Sequence, residues 1–129
     1  MLSDDVGTFR TEVAIENPIR PGVRRILPSV LVDTGAELSW FPARELEALG
    51  VTRVKVWNFK QADGTVISRW TGAVNVYAGG TTTVDEVVFG EPADLVLLGA
   101  RSLEGLNLRV EPVAKRLVDA GPAPAAAAA

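Results

Sequence analysis

The sequence contains no cysteine and no histidine among its 129 residues. The first absence excludes a disulfide framework, a thiolate nucleophile, a Cys-x-x-Cys redox pair and sulfur-ligated zinc. The second excludes a Ser-His-Asp triad, an HExxH site and an imidazole general base. Acid–base catalysis is left to carboxylates, lysines or backbone dipoles. Positive charge is also scarce: 13 Lys plus Arg against 16 Asp plus Glu give a formal charge of −3. Arg24-Arg25 and Lys115-Arg116 are the basic pairs, and nucleic-acid binding, which needs clustered positive charge, is not expected. No apolar run approaches the roughly 18 residues of a membrane span, and Met1-Leu2-Ser3-Asp4-Asp5 lacks the basic-then-apolar order of a signal peptide. The expectation is a soluble, cytoplasmic protein without a membrane partner.

What is present fits one globular domain. The composition, 47% hydrophobic and 22% charged, supports a core, and a chain of this size buries roughly two-thirds of the surface its unfolded form exposes. The domain is placed at residues 1–120. Gly121-Pro122-Ala123-Pro124 and the five alanines after it form a low-complexity stretch, read as a disordered tail over 121–129 because so short an Ala run cannot nucleate a helix in water.

Alternation dominates the rest. Phe9, Thr11, Val13 and Ile15 alternate with Arg10, Glu12, Ala14 and Glu16, the period of a half-buried strand. Asn17-Pro18 and Pro21-Gly22 break the run, and Val23 to Val32 returns as the partner of a hairpin, with Pro28 at an edge or bulge. Pro42 to Gly50 predicts a helix of about two turns, with Pro at the first helical position, Leu46 and Leu49 on one face and Gly as the stop. Val54, Val56 and Asn58 are read as one face of a strand, Asp63-Gly64 as a hairpin turn, and Thr65 to Trp70 as the returning strand. Val74 and Val76 lead to Gly79-Gly80, Thr81 to Phe89 is another strand, and Leu95 to Leu98 reads as a strand buried on both faces. Ala100 to Leu106 fits a short helix with Leu103 and Leu106 inward, and Leu108 to Val110 and Arg116 to Val118 are final strands. The fold class expected is all-β with one or two short helices.

Chemistry concentrates in Val30-Leu31-Val32-Asp33-Thr34-Gly35-Ala36-Glu37. An acidic residue at the end of an apolar strand, followed by a hydroxyl and Gly, presents a carboxylate from a rigid element on a tight turn. This segment resembles the active-site motif of the aspartic proteases, apolar-apolar-Asp-Thr/Ser-Gly-Ala/Ser. Leu97-Leu98-Gly99 resembles the family's second signature, and Leu98 to Leu106 is similar to bacterial and archaeal members. With one Asp-Thr-Gly in about 120 residues the chain is similar to the retropepsin-like branch, in which each subunit is half an enzyme; pepsin-like chains are more than twice as long and carry two motifs.

The resemblance implies a closed retropepsin-like barrel or sandwich with a flap hairpin, and an endopeptidase that uses no metal or organic cofactor. Two carboxylates about 3 Å apart cannot both ionise and share a proton, as in aspartic proteases generally. One such Asp per chain therefore implies a homodimer in which Asp33 from each subunit meets on a two-fold axis. By resemblance, Asp33 activates the water and protonates the substrate, Thr34 bonds across the axis, Gly35 brings its N–H to the carboxylate, and Gly99 lets the second loop pass beside the first. Ala36, Glu37 and Leu98 are assigned to the cleft. Ala62, Asp63 and Gly64 are assigned to the flap, within Phe59 to Ile67. Dimer contacts are assigned to the terminal strands, Thr8 to Ile15 or the residues just before them and the stretch around Arg116 to Val118, and to the active-site loop. Where the family often has Arg directly after apolar-apolar-Gly, this chain has Ala100 and then Arg101, which is either an ion-pair partner of Glu37 or a solvated cation. Trp40 is a core or interface aromatic or the counterpart of the Trp that follows the catalytic Asp in pepsin-like chains. The alternatives are a catalytically silent module that keeps the fold for peptide binding or dimerisation, and a Ser-Lys hydrolase, for which no Ser-x-x-Lys spacing exists.

Overall fold

The structure, a computed structural model, describes residues 8–127; residues 1–7, including the stretch just before Thr8 assigned to dimer contacts, and the last two alanines of the tail lie outside the described residues. Nine strands and two short helices follow in the order β1 (Thr8–Glu16), β2 (Arg24–Asp33), β3 (Trp40–Pro42), α1 (Ala43–Ala48), β4 (Lys55–Lys60), β5 (Val66–Ala78), β6 (Thr81–Gly90), β7 (Leu97–Leu98), α2 (Ala100–Leu106), β8 (Leu108–Glu111) and β9 (Arg116–Asp119). The protein is mostly β, as expected.

Seven strands form a mixed sheet in the order β1-β2-β7-β3-β6-β5-β4, and β8 and β9 pair in a second, two-stranded sheet. β1 and β2 make the antiparallel hairpin read from the sequence. Its register shifts between Thr11 and Val13, which face Val30 and Leu27, so Pro28 and Ser29 sit in a bulge where the missing proline N–H costs no ladder bond. β2 pairs in parallel with β7, and β3 in parallel with β6. β1 pairs also with β5, through Ala14, Ile15 and Glu16, so the pairing that starts at β1 returns to it.

Inside lie Val13, Ile15, Val30, Val32, Phe41, Val74, Val76 and Val87, all 0% exposed, with Leu98, Leu103 and Leu106 from the C-terminal part. A six-residue helix such as α1 is too short to be stable alone and is held by Leu46 and Leu49, which are buried in this core. Its end is a Schellman motif: Gly50 N–H donates to Glu47 O at 2.9 Å and Val51 N–H to Leu46 O at 3.0 Å, with Gly50 at φ +72°, a conformation that suits glycine. Pro42 is not the first helical residue. Its ψ of 129° is extended because it still pairs with Gly90 in β3–β6.

Three other expectations are corrected. On β4 the partly buried residues are Trp57 and Phe59, whereas Val54 and Val56 are 64% and 49% exposed, so the strand presents the face opposite to the one read from its valines. β5 is one strand of 13 residues, joining the returning strand read over Thr65 to Trp70 with the run through Val74 and Val76. Leu95 is 57% exposed and the doubly buried strand shrinks to Leu97–Leu98. Beyond Gly121, residues 122–127 are exposed and lack regular secondary structure. Among the described residues, no helix is long and apolar enough to cross a membrane.

Candidate active site

Asp33 is the last residue of β2, where Val30 and Val32 point into the core and Leu31 is buried on the opposite face. A strand buried on both faces is a rigid mount. At its end the chain turns: Ala36 N–H donates to Asp33 O at 3.3 Å, and Gly35 N–H donates to the Asp33 carboxylate Oδ1 at 2.9 Å. Asp33 stays half-buried while Thr34 and Gly35 are exposed. Thr34 makes no side-chain hydrogen bond within the chain among the described residues.

The second loop clasps this turn from behind. Leu31 N–H donates to Val96 O at 3.3 Å, Ala100 N–H to Ala36 O at 2.7 Å and Arg101 N–H to Glu37 O at 3.0 Å. Between these bonds sits Gly99, where an added Cβ would lie 2.6 Å from Leu38 O, 2.7 Å from Leu38 C and 2.9 Å from Ala36 O. The need for glycine here is one of space: φ is −98° and ψ −179°, open to any residue. The structure thus brings together Asp33, Gly35, Ala36, Glu37 and Gly99, which lie up to 66 positions apart in sequence.

In front of the turn is an open groove of about 500 Å³, lined by Gly35, Ala36 and Glu37 on one side and by Trp57, Phe59 and Ile67 of the β4–β5 hairpin on the other. Trp40 closes its floor, with its ring 4.8 Å from that of Phe59, and Phe59 stacks on Trp57 at 5.9 Å. Trp57 is held by its indole N–H, which donates to Glu86 Oε2 at 2.9 Å. Burial pushes the Glu86 carboxyl up, but hydrogen bonds from Thr71 and Trp57 and the charges of Lys55 and Arg101 outweigh it and hold the group below its ordinary value. The hairpin is braced further by Arg69, which meets Asp94 through Nε at 2.7 Å and through a second nitrogen at 2.9 Å. That bidentate bond, against the opposing effect of burial, holds the Asp94 carboxyl below its usual range.

Some expected cleft residues lie elsewhere. Leu98 is 0% exposed and belongs to the core, so it does not face an open cleft; its neighbour Leu97 borders a recess with Trp40, Gln61 and Ile67. The resemblance assigned Leu98 to the cleft, but β7 is covered on both sides, as its continuous apolar run indicates. Ala62, Asp63 and Gly64 form the exposed tip of the hairpin, outside the groove lining. There Asp63 Oδ1 accepts the Thr65 N–H at 3.0 Å and the Thr65 hydroxyl at 2.7 Å, bonds that lower its carboxyl from the ordinary value and shape the turn. The Arg101 guanidinium approaches Glu86 at 4.0 Å, not Glu37, because α2 carries it toward β6.

Sequence reasoning missed Trp57 as a groove residue, had Phe59 only as the start of the flap segment, and did not join Ser39 and Ser102 as a buried pair. Their signal was weak: two small hydroxyl residues beside Leu38 and Leu103, at positions where a core would accept alanine. Among the described residues no group of three or more acidic side chains is arranged to hold a metal ion. Compared with protein-family models the chain matches none, and a comparison with curated proteins likewise finds no match.

Proposed function

We propose that this chain is half of an aspartic endopeptidase of the retropepsin-like kind, active as a homodimer. The observation that carries the reading is the clasp: an Asp-Thr-Gly turn at the end of a doubly buried strand, gripped by the Leu97-Leu98-Gly99 loop at a spacing only glycine tolerates. The return of strand pairing from β5 to β1 is what a closed barrel requires, and the β4–β5 hairpin stands across the groove from the Asp33 turn, where a flap would be.

In the dimer the two Asp33 carboxylates share one proton. The ionised member takes a proton from a water whose oxygen attacks the scissile carbonyl carbon, and the protonated member delivers its proton to the carbonyl oxygen. Proton transfer to the amide nitrogen then releases two peptides and restores the pair. Thr34, exposed beside the carboxylate, is free to bond across the axis. The groove takes an extended peptide, which pairs with backbone and places side chains against Trp40, Trp57 and Phe59. The first half of β1, on its edge away from β2, and the outer edge of β9 have no further strand partner among the described residues and supply dimer contacts.

The test is cleavage of an unfolded protein at acid pH. Activity is expected to vanish in Asp33→Asn and to be blocked by a statyl-type mimic of the tetrahedral intermediate. Turnover that survives Asp33→Asn refutes the reading, and sedimentation that finds only monomer under active conditions refutes the shared site. Peptide capture without turnover at any pH identifies a silent binding module instead.

A further inference from the structure

Behind the two loops lies a buried chain of hydroxyls that the proposed chemistry does not use. Ser39, just before β3, and Ser102, in α2, are both 0% exposed. Their Oγ atoms are 2.5 Å apart. The Gly99 N–H lies on Ser39 Oγ at 2.9 Å, and Ser102 Oγ lies 2.7 Å from Oδ2 of Asp85 on β6.

The protons follow by elimination. Ser102 Oγ–H donates to Asp85 Oδ2. That uses the single Ser102 proton, so Ser39 donates to Ser102, and the Ser39 lone pair receives the Gly99 N–H. The other Asp85 oxygen accepts the Glu86 N–H at 2.8 Å. All the bonds run one way, from the Gly99 amide to the Asp85 carboxyl group, and among the described residues no buried side-chain polar atom lacks a partner. Fully satisfied buried networks polarise along their length and fix one geometry.

We propose that Asp85, Ser102 and Ser39 are positioning residues for Asp33. They hold the Gly99 amide, Gly99 abuts Ala36 and Leu38, and Ala36 N–H is bonded to Asp33 O. Slack introduced at Asp85 or Ser102 is passed to the Asp33 turn. The effect on turnover rests on the endopeptidase reading above; the effect on the loops does not.

The experiment separates the two. In Ser102→Ala the Ser39 hydroxyl loses its acceptor. In Asp85→Asn an amide NH₂ must face one of two donors. Nitrogen-edited NMR of each folded variant is expected to show shifted Gly35 and Gly99 amides and exchange at Gly99 accelerated about tenfold relative to the Val74 amide, the scale of one lost buried hydrogen bond. Unchanged shifts and exchange at both glycines in a folded variant overturn the proposal. On a peptide cleaved by the wild type, kcat is expected to fall about tenfold with KM unchanged, and Ser39→Thr, which keeps the hydroxyl, to retain the kcat that Ser39→Ala loses. Unaltered kcat in Ser39→Ala, Ser102→Ala and Asp85→Asn overturns it. If the wild type shows no Asp33-dependent turnover, the endopeptidase reading fails and the amide measurement alone decides the positioning role.

Discussion

Replacing Gly99 by alanine puts a methyl group into a space bounded by backbone on the near side. The nearest atom, Leu38 O, would lie at 2.6 Å, where an ordinary Cβ contact begins at 3.4 Å, so one loop must retreat by about 0.8 Å. A side-chain wall could rotate away; here Leu38 O, Leu38 C and Ala36 O are all main chain. Overpacking a tight site costs about 1–3 kcal/mol, and immovable neighbours put this substitution at the upper end, about 3 kcal/mol. For a domain of this size that lowers Tm by about 10 °C. The retreat also shifts the Asp33 turn through the Ala100–Ala36 hydrogen bond, and a displacement approaching 1 Å at a reacting group costs about a hundredfold in rate. Thermal unfolding by circular dichroism and cleavage of an unfolded protein read the two effects separately. Gly105→Ala is the comparison: the three atoms nearest its Cβ are Thr83 Oγ1, Cβ and Cγ2, none of them part of the Asp33 turn, so a loss of about 1–3 kcal/mol with near-normal cleavage is expected. A Gly99→Ala protein that melts within about 2 °C of wild type and cleaves normally would show that the loops do not abut as described.

Other expectations follow from the polar clusters. Glu16 is buried and its carboxylate is held down to about 2 from an ordinary 4.5, chiefly by hydrogen bonds from Asn75 and Tyr77, then from the Gly22 N–H, with Arg24 adding charge against the opposing effect of burial. A depressed folded-state value means that its contribution is complete above about pH 4.5 and is lost as pH falls toward about 2; Glu16→Gln is expected to flatten that acid limb in a plot of Tm against pH, and a limb of unchanged slope contradicts this. Asp94→Asn breaks the mostly buried bidentate pair with Arg69 and is expected to cost about 2–3 kcal/mol in chemical denaturation, with a loss below about 0.5 kcal/mol counting against it. Leu46→Ala, in a side chain 0% exposed, is expected to cost about 2–5 kcal/mol by the same assay. Trp57→Phe removes the bond to Glu86 and is expected to raise KM for peptide with little change in Tm; an unchanged KM places substrate elsewhere.

The elements most legible in the sequence were those whose signals are local. α2 runs from Ala100 to Leu106 as its apolar spacing and preceding Gly indicate, and the Asp33 turn announces itself in three consecutive letters. β4 misled because β-branched residues report that a strand forms, not which side is covered. Val56 fits a strand well and still faces solvent, because the groove claims the aromatic face. Gly72, between the two runs joined in β5, is a point of close approach: a Cβ there would lie 2.5 Å from Thr52 O. The even-numbered face of β5 is exposed through Trp70 and buried from Gly72 onward, and that exchange of faces splits one strand into two apparent periodic runs. The serines could not be read as a pair, since 63 positions separate them and their neighbourhoods are brought together by non-local pairings, β2 with β7 and β3 with β6 in parallel and Trp40 with Leu97 antiparallel.

Those parallel pairings also set an order of events during synthesis. Leu31 and Val32 lie on β2, but their partners on β7 are Leu97 and Leu98, and the amides that grip Ala36 and Glu37 belong to Ala100 and Arg101. A nascent chain that has emerged only as far as β6 has a complete Asp-Thr-Gly sequence and no clasp to shape it. Non-local pairing of this kind is slow to form, so the carboxylate turn is among the last parts of the molecule to acquire its geometry. A chain still on the ribosome carries the Asp-Thr-Gly letters without the clasp that gives them their shape.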